Sequence, residues 1–328
     1  MSFIDIHQAS ARLRDAADVL IFPHIRPDGD AAGSACALCL GLRSLGKRAY
    51  IAPVPVSMAR YEKYLTGYFA PPDFSPGFTV AVDMPGTEQL PPGWEHFASR
   101  IDLAIDHHGT NAGYARETLL EAGSAAAGEL VFLVLEALGA DMTPDMAEAL
   151  YVALTTDTGC FRTAGTTART LAIAARLRDM DFDAFALTRR LFETKTAARL
   201  RLESVLFGGM RFPIPGVCVM TLPLEDITAC GAGEDDMDKI SLLTMTPEGA
   251  WAGLLLRQLP DGRWKLSLRT DGSVNAGAVL VSLGGGGHPD AAGAVCSGDP
   301  AVLEETVLSA LMKEKKNPEN KDGKVNKH

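Results

Sequence analysis

The stretch His24-Ile25-Arg26-Pro27-Asp28-Gly29-Asp30 follows an apolar run at residues 19–22. In an extended chain, residues two apart point to the same side, so Asp28 and Asp30 are expected to face one pocket with His24 close behind. Two carboxylates this close repel each other unless a cation lies between them, and carboxylates with imidazole suit Mn²⁺, Mg²⁺ or Zn²⁺. Pro, Asp and Gly are also common turn formers, so this stretch alone is equally typical of a surface turn.

Acidic residues and histidines close two further apolar runs. Asp83 follows the run at residues 78–82, and Asp106-His107-His108 follows the run at residues 101–105. In an open parallel sheet, ligands bind outside the carboxyl ends of the strands, so these side chains are expected to converge with the 24–30 stretch. Asp157, in a Thr-Asp-Thr-Gly segment, is a further candidate carboxylate, although a helix-terminating turn explains it equally well.

The pattern around these runs predicts an α/β fold with a parallel sheet and flanking helices. A helix at residues 4–17, a strand at 18–22, the ligand-bearing loop and a helix at 35–45 have the order of a parallel α/β unit. A strand at residues 48–56 contains two prolines and is expected at a sheet edge. Further helices are predicted at residues 124–138, 143–155, 166–180 and 183–192.

The character of the sequence changes after the first 193 residues, which we assign to a metal-binding catalytic domain. Residues 194–206 are charged and helical with little apolar face, as expected for a linker. Strands are expected at residues 216–222, 250–258 and 263–269, the last two joined by a Leu-Pro-Asp-Gly hairpin signal. We therefore predict a smaller α+β domain at residues 207–312 and a disordered Lys-rich tail at 313–328.

A run of four glycines precedes His288 in this second domain. Gly285, Gly286 and Gly287 free the backbone to bring N–H groups against an anion, and the imidazole of His288 adds a further donor. A glycine run alone is more typical of a flexible loop. Its combination with His288 and with Arg269, at the end of a predicted strand, favours an anion site.

Composition limits the class of protein. The 328 residues are 47% hydrophobic and 22% charged, as in soluble globular proteins, and no apolar run approaches the roughly 20 residues of a membrane helix. The start of the chain does not resemble a signal peptide, and the six scattered cysteines are typical of reduced thiols, so we expect a cytoplasmic protein without a membrane partner. The net charge of −10 argues against tracking along a long nucleic acid. A homodimer is left open.

In combination, these motifs resemble the DHH phosphoesterase superfamily. The first domain carries His24-x-x-x-Asp28-Gly29-Asp30, Asp83, Asp106-His107-His108 and Asp157 in the family's order. The second domain, with Arg269 and the GGGGH segment at residues 284–288, resembles the DHH-associated C-terminal domain. The two-domain layout is most similar to the oligoribonuclease and 3′-phosphoadenosine-5′-phosphate (PAP) phosphatase group. The resemblance covers residues 1–312.

The resemblance implies two divalent ions, most often Mn²⁺, with Mg²⁺ as the alternative. It implies that Asp83 bridges the ions. Our candidate catalytic residues are His108 and Asp106: His108 is expected to contact the phosphate, to protonate the leaving oxygen or only to support the ligands, and Asp106 to orient its neighbours. The other implied ligands are His24 and Asp28 for one ion, and Asp30, His107 and Asp157 for the second. The implied phosphate-binding residues are Arg269, Gly285, Gly286, Gly287 and His288.

The chain departs from the family pattern at two places. Met84-Pro85-Gly86 stands where many relatives have a Thr-Gly-Asp type of segment, and Pro289-Asp290 replaces a more basic pair after His288. We predict a two-metal phosphoesterase acting on short oligoribonucleotides, linear dinucleotides or PAP. The alternatives are a pyrophosphatase or polyphosphatase of the same superfamily, and a nucleotide-binding regulatory module without catalysis.

Overall fold

The structure is a computed structural model that describes residues 2–55 and 59–316. The chain divides into two compact units, Met1–Thr194 and Lys195–His328. Most of the predicted Lys-rich tail, residues 317–328, lies outside the described residues. Within the described ranges, no helix is both long enough and apolar enough to cross a bilayer.

Six parallel strands form the sheet of the first unit. They are β1 (Ser2–Phe3), β2 (Val19–Phe22), β3 (Ala49–Ile51), β4 (Phe78–Val82), β5 (Leu103–Asp106) and β6 (Glu117–Leu120). Their order is β1-β6-β5-β4-β2-β3, and every neighbouring pair is parallel. The predicted parallel sheet is confirmed, and the proline-flanked strand β3 lies at its edge.

Helices connect the strands of this sheet and pack against it. They are α1 (Ile6–Asp15), α2 (Gly29–Ser44), α3 (Ala127–Leu138), α4 (Pro144–Asp157), α5 (Ala168–Arg178) and α6 (Ala184–Thr188). Thr143 caps α4 with proline at the first helical position, and Thr167 caps α5. Both faces of the sheet are buried. Leu20 and Ile21 are neighbours on β2 and point to opposite faces, and they belong to different apolar clusters.

Helix α2 begins earlier than the sequence predicted. The predicted start is residue 35, whereas the observed start is Gly29. Asp28 is the N-cap, and its carboxylate accepts hydrogen bonds from the N–H groups of Asp30 (3.0 Å) and Ala31 (3.2 Å). The prediction of an extended chain through Asp30 was therefore wrong, because an Asp N-cap satisfies the free donors of a first helical turn.

Helices α2 and α4 approach each other closely. A Cβ atom added at Gly33 would lie 2.2 Å from the carbonyl oxygen of Ala149, and one added at Gly29 would lie 2.3 Å from Thr156 Oγ1. Only glycine allows this separation of the two backbones. The contact brings the first turn of α2, which holds Asp30, beside the last turn of α4.

The second unit has a mixed sheet. Its strands are β7 (Arg211–Ile214), β8 (Val217–Leu222), β9 (Ala252–Gln258), β10 (Trp264–Thr270), β11 (Gly286–Gly287) and β12 (Ala291–Cys296). The order is β11-β12-β10-β9-β8-β7, with β8 and β9 parallel and the other pairs antiparallel. Its helices are α7 (Ala197–Gly208), α8 (Leu224–Cys230), α9 (Ala276–Val281) and α10 (Pro300–Lys315). The predicted hairpin between β9 and β10 is confirmed.

Two expectations for this unit need correction. Helix α7, expected to have little apolar face, buries Leu202 and Leu206 against Met220 and Leu255 of the second unit. The two leucines are four residues apart and so lie on one side of the helix, a narrow stripe among charged residues. Helix α10 continues to Lys315, so residues 313–315 are helical and do not belong to a disordered tail.

Candidate metal centre

Three neighbouring strands deliver the candidate ligands to one edge of the first sheet. β5, β4 and β2 are adjacent, and their carboxyl ends lead into Asp106, Asp83 and His24 respectively. Because all three strands are parallel, these ends lie at the same edge, as the sequence predicted. The structure brings together the six predicted metal ligands, with Asp157 placed by the end of α4.

Asp83 is the most constrained member of the group. Its backbone has φ 55°, a left-handed conformation that is uncommon for a residue other than glycine. Its side chain is buried, and within the described part of the chain Oδ1 accepts no hydrogen bond. Buried polar atoms are nearly always paired, so an orphaned carboxylate oxygen in a strained turn indicates a missing cation.

His107 is oriented for metal binding. Its Nδ1 atom lies 3.1 Å from the carbonyl oxygen of Ser124, which can only accept a hydrogen bond, so Nδ1 carries the proton. Nε2 then faces Asp83 Oδ1 (3.4 Å), Asp157 Oδ2 (3.4 Å) and Asp30 Oδ2 (3.7 Å). Burial lowers the pKa of His107, but the close contact with Asp83 and the negative charges of Asp30, Asp83 and Asp157 outweigh burial and raise the pKa to about 10.

Asp30 is fixed by the start of α3. Its fully buried carboxylate accepts hydrogen bonds from the N–H groups of Ala127 (2.6 Å) and Gly128 (3.0 Å) and from Ser34 Oγ (2.9 Å). Burial, followed by repulsion from Asp83 and Asp157, raises the pKa of Asp30 well above its usual range. A divalent cation would remove this repulsion.

Asp157 lies at a helix-terminating turn and is also a candidate metal ligand, the two possibilities that the sequence left open. It is the last residue of α4, and Gly159, Cys160 and Phe161 then adopt φ values of 54°, 63° and 63°. This left-handed turn ends the helix. At the same time the Asp157 carboxylate reaches the metal centre beside His107.

A cavity of about 390 Å³ opens on the outer side of the centre. His24 Nε2 lies 3.9 Å from Asp28 Oδ1 at its wall, and the N–H of Ile25 donates to the carbonyl oxygen of Gln89. Arg26 and Gln89 also line the cavity. The sequence analysis did not single out these two residues, because no motif marks a lone arginine or glutamine as a site residue.

The candidate ligand atoms fit hard to borderline divalent cations. They form three groups whose atoms lie within 4.8 Å of one another, and Asp83 belongs to two of these groups. Carboxylate oxygens with imidazole nitrogen are the donors preferred by Mn²⁺ and Zn²⁺. The groups are His24 with Asp28 and Asp83, Asp30 with His107 and Asp157, and Asp83 with His107 and His108.

Asp106 holds the two following histidines and Asn111 in place through hydrogen bonds. Its buried carboxylate accepts from the N–H of His107 (2.8 Å), from His108 Nδ1 (2.7 Å) and from Asn111 Nδ2 (2.7 Å). Burial raises the pKa of Asp106, but the hydrogen bonds from His108 and Asn111 outweigh it and lower the pKa overall. The hydrogen bond with Asp106 in turn raises the pKa of His108.

The Met84-Pro85-Gly86 segment, where the family pattern is broken, packs beneath this edge. Met84 is fully buried in the apolar cluster on one face of the sheet, and its carbonyl oxygen accepts a hydrogen bond from the Tyr114 hydroxyl at 2.8 Å. The departure therefore places an apolar side chain in the core.

The candidate phosphate-binding residues lie in the second unit. Arg269 is half-buried near the end of β10, where its Nε donates to Ser241 Oγ at 3.2 Å. Burial lowers the pKa of Arg269, and the negative charge of Asp290 opposes that shift. The His288 side chain is exposed.

The glycine run has a different structural role from the one expected. The N–H of Gly285 donates to the Leu280 carbonyl (3.0 Å), and that of His288 donates to the Ala291 carbonyl (2.8 Å). These two N–H groups are used inside the fold, and the role of the glycine run and the His288 imidazole in binding an anion stays a prediction. Glycine is needed for packing, because a Cβ at Gly285 would lie 2.4 Å from the Gly293 carbonyl oxygen.

Comparison with known proteins agrees with this geometry. Residues 18–154 match the DHH family, N-terminal domain, and residues 234–314 match the DHHA1 domain. The chain is 33% identical over 300 residues to the bifunctional oligoribonuclease and PAP phosphatase NrnA of Thermus thermophilus, covering 90% of each chain. It is 24% identical over 304 residues to NrnA of Bacillus subtilis, covering 90% of this chain and 95% of that one.

Solved structures share the fold. An exopolyphosphatase-related protein from Bacteroides fragilis superimposes with a TM-score of 0.86 at 23% identity, covering 97% of both chains. RecJ from Thermus thermophilus in complex with Mn²⁺ gives a TM-score of 0.56 at 17% identity, covering 95% of this chain and 55% of that one.

A carboxylate and histidine centre at the edge of this parallel sheet defines a metal-dependent hydrolase of phosphate esters. The chain belongs to the DHH family.

Proposed function

We propose that this protein hydrolyses short oligoribonucleotides to mononucleotides, hydrolyses PAP to AMP, or does both. The observation that carries the proposal is the complete acid and histidine centre in a chain that aligns with an NrnA protein over 90% of both lengths. The net charge of −10 supports a short substrate, because long nucleic acids are held mainly by Lys and Arg.

The proposed cofactor is a pair of divalent ions, Mn²⁺ in the first place and Mg²⁺ as the alternative. Asp83 contributes to both sites in this proposal. This is supported by its grouping with His24 and Asp28 and by the 3.4 Å between its Oδ1 and Nε2 of His107, a ligand of the other site. His24 and Asp28 complete one site, and Asp30, His107 and Asp157 complete the other. When bound, two such ions lower the pKa of water and neutralise charge on phosphoryl oxygens.

The protein side chains hold and protonate the substrate in this proposal. His108 donates Nδ1–H to Asp106, which leaves Nε2 to donate to a phosphoryl or leaving oxygen. Asp106 holds the imidazole in place and raises its pKa, which favours the charged form. Arg26, on the wall of the cavity, is an additional phosphate partner, since guanidinium groups bind phosphate with two parallel hydrogen bonds.

We further assign the substrate's terminal phosphate to Arg269 and His288, through their side chains. The binding of this phosphate also depends on Gly285, Gly286 and Gly287 in this proposal. They allow the close packing that shapes the loop, and N–H groups of the loop that make no hydrogen bond within the protein can donate to the phosphate. We also propose a cytoplasmic location, supported by the six free cysteines. A homodimer stays a prediction that sedimentation velocity tests.

The experiment that tests the function is product release from a substrate panel. The panel is a 5′-phosphorylated diribonucleotide, a long single-stranded RNA, PAP and pyrophosphate, each with Mn²⁺ and with EDTA. We expect metal-dependent release of mononucleotide or AMP from the short nucleotides only. Hydrolysis of pyrophosphate alone would assign the pyrophosphatase alternative, and nucleotide binding without turnover would assign a regulatory module.

A further inference from the structure

One short segment of backbone fixes two of the candidate metal ligands. The carbonyl oxygen of Ser124 accepts the hydrogen bond from His107 Nδ1, and the N–H groups of Ala127 and Gly128 donate to Asp30. These are main-chain contacts. The position of residues 124–128 therefore helps to decide where His107 and Asp30 point, together with Ser34 Oγ, which also donates to Asp30.

Arg169, on helix α5, holds this segment from outside the metal centre. Its Nη2 donates to Ser124 Oγ (2.8 Å), its Nη1 to Glu121 Oε1 (2.8 Å) and its Nε to Glu129 Oε2 (3.0 Å). The three acceptors lie before, inside and just after the segment. A planar guanidinium can hold all three at once, which a single ammonium group cannot do with the same geometry.

Glu129 makes this link difficult to replace. Its side chain is fully buried in the first turn of α3, where it accepts hydrogen bonds from Arg169 and from the Thr170 hydroxyl. Removing Arg169 would leave a buried carboxylate without its cation, and the start of α3 would have to move to hydrate it. The same turn provides the N–H groups that hold Asp30.

We propose that Arg169 is a positioning residue of the metal centre, acting through residues 121–129 on His107 and Asp30. It is not among the candidate metal ligands. The inference rests on the proposed metal site and goes beyond it, because it assigns a determinant of metal affinity to a helix that provides no ligand. Interactions that orient metal ligands typically change metal affinity by about 10- to 100-fold.

The chain provides a matched control on the same helix. Arg176, two turns further along α5, pairs with Glu136 of α3, so it also links α5 to α3. Both residues of that pair are exposed, and the ion pair, hydrogen bond and cation–π contact of Arg176 go to Glu136 and Phe132, outside residues 121–129. R176M therefore removes a link between the two helices without touching the segment that holds His107 and Asp30.

The test is direct Mn²⁺ binding, measured from the electron paramagnetic resonance signal of free Mn²⁺ without substrate. We expect R169M to raise the Mn²⁺ dissociation constant by about 10- to 100-fold. We expect R169K to recover part of the loss and R176M to bind within twofold of the wild type. Wild-type affinity in R169M, or an equal loss in R176M, would overturn the proposal.

A second variant decides the case if R169M does not fold, as judged by circular dichroism in EDTA. S124A removes only the Oγ acceptor and keeps the carbonyl that binds His107, so we expect a several-fold weaker Mn²⁺ affinity at unchanged melting temperature. Unchanged affinity in S124A would then refute the inference. A wild type that binds Mn²⁺ but releases no product would contradict the proposed function and leave the role of Arg169 intact.

Discussion

Asp83 shows how one residue can be arranged for a ligand and not for stability. Its left-handed backbone and its orphaned buried oxygen both carry a free-energy cost in the apo protein. It also contributes to the repulsion that raises the pKa of Asp30. Such costs are typical of functional sites, where a bound cation reverses them.

We predict that Asp83→Asn separates metal binding from stability. Asn has the same shape and tolerates the left-handed conformation, and it removes one charge from a buried acidic cluster. Mn²⁺ affinity and phosphoesterase activity should each fall by more than about 100-fold. In EDTA, the melting temperature measured by calorimetry should be equal to or higher than that of the wild type.

The control for this variant is Asp102→Asn. Asp102 accepts hydrogen bonds from the main-chain N–H and the hydroxyl of Thr79, outside the metal centre. It should retain Mn²⁺ affinity. A D83N protein that melts several degrees lower than the wild type in EDTA would contradict the view that Asp83 lowers the stability of the metal-free protein.

At the scale of elements, the contact between α2 and α4 sets the spacing of the metal ligands. Each helix brings one candidate ligand to the centre, Asp30 on α2 and Asp157 on α4. Their backbones approach closely because Gly33 presents no side chain to Ala149. The distance between the two carboxylates therefore depends on a glycine one turn along the helix from Asp30.

We expect Gly33→Ala to destabilise the first unit and weaken metal binding. The new methyl group would meet a main-chain oxygen that no side-chain rotation can move, so overpacking should cost about 1–3 kcal/mol in the free energy of unfolding. Urea denaturation and Mn²⁺ titration measure the two effects. Gly208→Ala is the control, since no atom lies within 4 Å of a Cβ built there. Equal stability of G33A and wild type would refute the role of this contact.

Helix α7 provides a prediction about pH. Glu203 is buried and accepts hydrogen bonds from Lys195 (2.6 Å) and Arg199 (2.8 Å). Burial raises the pKa of Glu203, but the hydrogen bonds from Lys195 and Arg199 outweigh burial and lower it. A lowered carboxyl pKa gives stability that is present at neutral pH and is lost as the pH falls through the folded-state pKa.

Glu203→Gln should therefore lower the free energy of unfolding by about 1–3 kcal/mol at pH 7. The difference from the wild type should begin to shrink as the pH falls below the ordinary glutamate pKa of about 4.3, and it should vanish only below the lower pKa of Glu203 in the folded protein. Tryptophan fluorescence during urea unfolding, measured with Trp94 of the first unit replaced by Phe, follows the second unit through Trp251 and Trp264. Glu234, an exposed residue of the same unit that pairs with Arg257, supplies the control, and Glu234→Gln should change stability little at any pH. A pH-independent effect of E203Q would contradict the view that the charged form of the Glu203 carboxylate provides this stability.

At the scale of the whole molecule, all candidate metal ligands belong to the first unit, whereas Arg269 and His288, which we assign to the terminal phosphate, belong to the second. A cation that binds the native state stabilises it by mass action, by about 2.7 kcal/mol at 100 times its dissociation constant. Metal should therefore stabilise the two units unequally.

We predict that Mn²⁺ slows amide hydrogen exchange selectively in the first unit. The amides of Ala127 and Gly128, which donate to Asp30, should show the largest change, followed by those of Asp30 and Ala31, which donate to Asp28. Helix α10 serves as the internal reference in the second unit and should exchange at the same rate with and without metal. Protection confined to the second unit would contradict the location of the metal centre.

The sequence by itself determined the parallel sheet, the metal edge and the identity of the candidate ligands. These features are encoded locally, because a buried strand is a short apolar run and a ligand such as Asp83 directly follows it. Parallel strands then place their ends together without further information. The same local logic predicted the β9–β10 hairpin.

Only the tertiary structure decided how the ligands are held. The start of α2 at Gly29 depends on Asp28 acting as a cap, and the N–H partners of Asp30 come from residues almost 100 positions away. Arg169 reaches Ser124 across 45 positions. Contacts between distant residues leave no periodic pattern in a single sequence, because packing and hydrogen-bond satisfaction select them only once the chain has folded.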